Sequence, residues 1–166
     1  MKYALFALTM IPLAALAASG SPDASFYKSL AAGGMAEVRL GKLAQQKASD
    51  PGVKDFAAMM VKDHSAANAQ LRTLAASKSV SLPKGSGVVA RAKKAELEML
   101  SGHSFDASYL TSQIKAHQDT VALLQKEISS GSDVDAQAFA QKVLPTVQSH
   151  LQAADKLADS LGVSHH

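Results

Sequence analysis

Apolar side chains recur every three to four residues along four long stretches of this chain, the period of helices with one buried face. The first stretch runs from Ser21 to about Ala48. Phe26, Leu30, Glu37, Leu40 and Ala44 fall within about 40° of one line at 100° per residue. Ser21-Pro22 reads as a cap followed by Pro at the first helical position, with Asp23 in the first turn. Asp50-Pro51 repeats that signal and opens a second helix, to about Lys78. Val53, Met60, His64, Ala67 and Leu71 make its stripe. The third stretch is capped by Ser104 and reaches Ser129, with Asp106, Leu110, Gln113, Ile114, His117, Val121, Leu124 and Ile128 on one face. The fourth runs from Asp133 to Leu161 and aligns Phe139, Val143, Val147, His150, Ala154 and Leu157. Pro145 lies inside it and predicts a local bend. Gly162 fits the residue just past a helix end.

The connections predict how these helices pack. The link before Pro51 is very short, so the first two helices are expected to be antiparallel neighbours. Between Ser79 and Ser101 the chain reads as a Pro/Gly/Ser loop and then a short helix over Val88–Leu100. That connection is long enough to travel back along the bundle rather than only turn. The expectation is an all-α four-helix bundle, one domain over residues 21–162, with a long crossover holding a short helix between helices two and three. Gly33, Gly34 and Gly41 weaken the first helix, and close packing of a neighbouring helix is the expected reason for them.

The start of the chain follows another logic. MKYALFALTMIPLAALAASG has one Lys, an uncharged apolar run and then small residues, the order of a secretory signal peptide. The run is short of the roughly 20 residues that span a bilayer. Residues 1–17 are expected to be removed, leaving an exported chain, periplasmic or outer-membrane associated, with no integral membrane span. The formal charge of +3 is small and dispersed, and aromatic residues are 5% of the chain. Neither supports a nucleic-acid surface. The absence of Cys excludes disulfides, thiolate ligands and a cysteine nucleophile. No Gly-x-Ser-x-Gly elbow or phosphate-binding glycine loop appears.

The candidate chemistry lies where the period calls for core residues. Glu37, His64, His117 and His150 each occupy an apolar position in a different long helix. At 1.5 Å per residue, they come within about one and a half turns of one another in height. Burying a carboxylate and three imidazoles is costly unless they pair or bind something. Three imidazole nitrogens and one carboxylate oxygen suit one transition-metal ion: Zn, Cu, Fe or Mn. A ligating His also needs its second ring nitrogen held, and Asp63, Asp106, Gln113 and Tyr109 are the candidates for that outer role. Two alternatives stay open: a metal-free polar network in a structural or envelope-interaction bundle, and a metal-dependent oxidase. No catalytic residue is assigned. His103, His165 and His166 are given no role.

Three runs carry a family resemblance: AGGMAEVRLGKLAQQKASDPGVKDFAAMMVKDHSAAN, GHSFDASYLTSQIKAHQDTV and LPTVQSHLQAADKL. They resemble the exported bacterial domain of unknown function 4142, through Glu37, Asp63-His64, Phe105-Asp106 with Tyr109, His117, and Leu144-Pro145 with His150. The resemblance implies a ferritin-like bundle and no established activity. It departs from the ferritin di-iron pattern, which places Glu-x-x-His on each of two helices. The residues three before His64, His117 and His150 are Val61, Ile114 and Val147. A mononuclear, His-rich centre is the better chemical fit.

Overall fold

The computed structural model describes residues 23–164, so the expected signal peptide and the Ser21-Pro22 cap lie outside the described residues. All regular structure among the described residues is helical: α1 (Ala24–Lys47), α2 (Pro51–Ser77), α3 (Gly87–Met99), α4 (Gly102–Ser130) and α5 (Val134–Ser160). No helix among them is long and apolar enough to cross a membrane.

Two apolar clusters show how the chain runs. One gathers the C-terminal half of α1, the N-terminal halves of α2 and α4, and the C-terminal end of α5, with Met60, Phe105, Leu110 and Ala154 among its members. The other gathers the opposite halves, including Phe26, Leu71, Leu124 and Phe139. Each of the pairs α1–α2 and α4–α5 is therefore an antiparallel hairpin, while α2 and α4 point the same way. The chain has to return the length of the molecule between them. Val80 joins the second cluster and Leu97 of α3 joins the first, so the connection makes that return.

Local chemistry explains the turns. Pro51 begins α2, and the Asp50 carboxylate accepts from the Val53 N–H at 3.1 Å, satisfying a donor the helix leaves open. α4 starts at Gly102, two residues before the expected cap at Ser104, and its flanking Ser101 makes no side-chain capping bond. Asp23 corrects another expectation. It lies just before α1 instead of within the first turn, and its carboxylate accepts from the Ser132 N–H at 3.0 Å and from the Asp133 N–H. It thus ties the start of α1 to the start of α5. Tyr27 donates to Asp133 at 2.9 Å, and Lys78 pairs with Asp133 and Asp135 at 2.8 and 2.7 Å. One end of the molecule is held by this polar knot. α5 continues through Pro145 as a single helix, and Gly162 follows its end at φ +66°.

The α1 glycines differ in what they do. A Cβ at Gly41 would lie 2.9 Å from Val61 Cγ2 and 3.0 Å from the Ala57 carbonyl oxygen. The missing side chain therefore allows α1 and α2 to approach closely. A Cβ at Gly33 would meet nothing within 4 Å; Gly33 is exposed and is among the residues lining a cavity.

Candidate metal centre

His64, His117 and His150 project into the polar layer between the two apolar clusters. Each can offer one ring nitrogen such that the three atoms lie within 4.8 Å of one another. Their ring centroids are 5.4–5.6 Å apart, and no pair is stacked. The side chains of His117 and His150 are buried, while His64 is partly buried.

Two of the three rings are oriented by bonds on their outer nitrogens. His117 Nδ1–H donates to the Gln113 carbonyl one turn earlier, at 2.8 Å. His150 Nε2–H donates to Asp63 Oδ2 on α2, at 3.1 Å. These bonds leave lone pairs on His117 Nε2 and His150 Nδ1. Those two atoms and His64 Nε2 are buried with no hydrogen-bond partner.

Electrostatics keep the rings neutral. Burial, with His117 and His150 adding to it, pushes His64 down from 6.5 to about 3. Burial takes His117 down to about 4, against the bond to the Gln113 backbone. His150 also falls through burial, opposed by Asp63. Neutral imidazole is the form that binds metal.

Glu37 lines the same cavity as the three histidines, but the set of ligand atoms within 4.8 Å contains the histidines alone. Its Oε2 is buried and unpartnered. Burial lifts its carboxyl from 4.5 to about 7. The Gln113 amide comes near enough to oppose that rise, yet neither its Nε2 nor its Oε1 makes a hydrogen bond of standard geometry.

The expected outer residues divide. Asp63 holds His150. Gln113 holds His117, through its backbone carbonyl and not its side chain. Asp106 lies elsewhere: its carboxylate takes the Ser49 N–H at 3.0 Å, the Asp50 N–H at 2.9 Å and the Ser49 hydroxyl, fastening the α1–α2 turn. It shares a helix face with His117 but sits eleven residues away, about 16 Å along the axis. Tyr109 packs on Phe105 and Phe56, and its hydroxyl is buried without a partner. Burial, with the Glu37 charge adding to it, raises its phenol well above the usual range. His103 is exposed in the first turn of α4.

Three neutral imidazoles, each with a buried unpartnered nitrogen, fit a transition-metal ion by number, softness and protonation state. The cavity they share encloses about 300 Å³ and continues between Leu30, Leu71, Phe139, Val143 and Val147.

An all-helical protein with a histidine triad at its centre is the class these features define. The chain belongs to the DUF4142 family, a domain of unknown function, which matches residues 9–157. No curated protein matches it. Among solved structures, it is similar to a DUF305 protein from Streptomyces coelicolor described provisionally as secreted. That likeness has a TM-score of 0.75 at 16% identity, covering 88% of this chain and 96% of the other. It is also similar to CopM in its Cu(I)-bound and Cu(II)-bound forms, with TM-scores of 0.70 and 0.66. Both CopM comparisons are at 14% identity and cover 83% of this chain and 96% of that one. At these identities the likeness establishes the fold.

Proposed function

We propose that this protein is an exported, ferritin-like helical bundle that binds one transition-metal ion through His64, His117 and His150. Glu37 is the fourth donor, reaching the ion from the wall of the shared cavity and supplying the negative charge. The observation that carries the reading is a triad whose rings each offer a nitrogen within 4.8 Å of the others' and each keep one buried nitrogen without a partner. Leaving such atoms unpaired costs about 1–3 kcal/mol each, and one ion satisfies all three. A metal-free polar network would instead pair these groups with one another. His64 Nε2, His117 Nε2, His150 Nδ1 and Glu37 Oε2 all lack a partner.

Copper is the metal we favour among Zn, Cu, Fe and Mn. The same fold carries copper in CopM, and imidazole binds Cu(II) ahead of the other divalent first-row ions. The ion is the partner proposed here. Asp63 and the Gln113 carbonyl fix two rings so that the donors converge before the ion arrives, which lowers the entropy lost on binding.

Elemental analysis of protein purified without an affinity tag, then incubated with each metal and dialysed, tests the assignment. About one ion per chain is expected, falling to near zero in His64→Ala and His117→Ala. A Glu37→Gln variant should retain metal with weaker affinity, by at least the roughly 10- to 100-fold that loss of an outer-shell partner costs. Loading that survives both His variants unchanged would place any bound metal elsewhere, for instance on the terminal His165-His166 pair.

A further inference from the structure

The cavity beside the histidines has chemistry that metal binding does not use. Away from the triad its walls are Leu30, Leu71, Phe139, Val143 and Val147. Gly33 forms part of the wall without contributing a side chain. An apolar space of this kind is the usual accommodation for the body of a small organic ligand. About 300 Å³ lies at the small end of that range.

Its charged groups are distributed unevenly. Lys142 is the one cation among the described lining residues. It lies eight residues before His150 on α5, about 12 Å along the helix axis. Its Nζ donates to Gln70 Oε1 on α2 at 2.8 Å, and both side chains are exposed. The two residues bridge the seam between α2 and α5 at the edge of the cavity. The acidic lining residues, Glu37 and Asp63, belong to the histidine end. The cavity thus has a cation at one exposed edge, apolar side chains in its wall and the acidic groups beside the histidines.

We propose that this cavity binds a single-chain anionic amphiphile, its carboxylate on Lys142 and its short aliphatic chain in the apolar stretch. The head displaces Gln70 from Lys142, exchanging a neutral acceptor for a charged one, which makes the stronger bond. The chain packs against the partly exposed Leu30 and Val143 and the buried side chains behind them, and the histidine layer limits its length. This site does not require an ion in the triad, so it stands apart from the metal assignment.

Calorimetric titration of the metal-free chain, held in chelator, with octanoate, octanol and octylamine tests the proposal. Octanoate is expected to bind at one per chain, more tightly than octanol, with octylamine weakest. Lys142→Ala, an exposed change, should weaken octanoate by about three- to tenfold, as expected of a partly solvated charge contact. It should leave octanol unaltered, and Lys142→Arg should restore octanoate. Gly33→Leu, which builds a side chain from the cavity wall, should weaken octanoate and octanol together. Absence of saturable octanoate binding, octanol binding as tightly as octanoate, or indifference to both Lys142→Ala and Gly33→Leu would each overturn it. Metal stoichiometry measured on the same variants separates the readings. Lys142→Ala and Gly33→Leu should both retain one ion per chain.

Discussion

His64 and His117 are held neutral by burial, and Glu37 is held protonated to near neutral pH by the same cause. The two shifts act on stability in opposite directions. For each histidine, the folded state resists a proton that the unfolded chain accepts at 6.5. That contribution is fully present above 6.5 and is lost as pH falls toward 3 or 4. The folded pKa of Glu37 lies above its unfolded 4.5, so its contribution is present below 4.5 and lost as pH rises through about 7. Two histidines outweigh one glutamate. The metal-free protein should therefore gain stability between pH 4.5 and 7. Removing the opposing group in Glu37→Gln should steepen that rise, by up to about 1.4 kcal/mol per pH unit. Urea denaturation across this range checks it, and an unchanged slope in the variant would contradict the burial of Glu37. Helical period alone placed Glu37, His64, His117 and His150 inward, since each takes a position that otherwise holds Leu, Val or Met. The ring nitrogen each histidine presents was not legible. It depends on the Gln113 carbonyl and on Asp63 of another helix, and tertiary contacts decide both.

At the scale of the helices, sequence spacing reported faces better than heights. Asp106 shares a stripe with Gln113 and His117, the pattern expected of a support for the site. Three turns of separation instead bring it to the α1–α2 turn, where three donors from Ser49 and Asp50 meet its carboxylate. Asp23 likewise fits a helix start, but it is taken by the start of α5. Such partners come from residues more than fifty positions away, beyond the reach of local signals. The glycines of α1 allow a direct comparison. Gly33→Ala should stabilise the fold by about 0.5–1 kcal/mol, the helix-propensity difference with no contact to oppose it. Gly41→Ala gains the same propensity but presses on the Ala57 carbonyl and on Val61. It should destabilise by about 1–3 kcal/mol, the usual cost of overpacking. Thermal denaturation of the two variants decides this, and equal effects would mean that the α1–α2 approach yields readily.

Over the whole molecule, a polar layer is held between two apolar clusters, and the two hairpins bring its parts together. α1 and α2 supply Glu37, Asp63 and His64, while α4 and α5 supply Gln113, His117 and His150. The site therefore exists only when the hairpins dock. The long return between α2 and α4 sets which faces meet. Docking leaves a cavity beside the layer, which no stripe of apolar residues predicted, because it arises from space left between the hairpins. The all-helical architecture and the inward histidines were readable from period and connection lengths. The separation of Glu37 from the three close ring nitrogens was not, because side-chain distances across an interface are set by packing. X-ray absorption on the copper-loaded chain, counting the donors around the metal, tests the central assignment most directly. The result predicted is three imidazole nitrogens at about 2.0 Å. A shell of oxygen donors with one imidazole or none would contradict it.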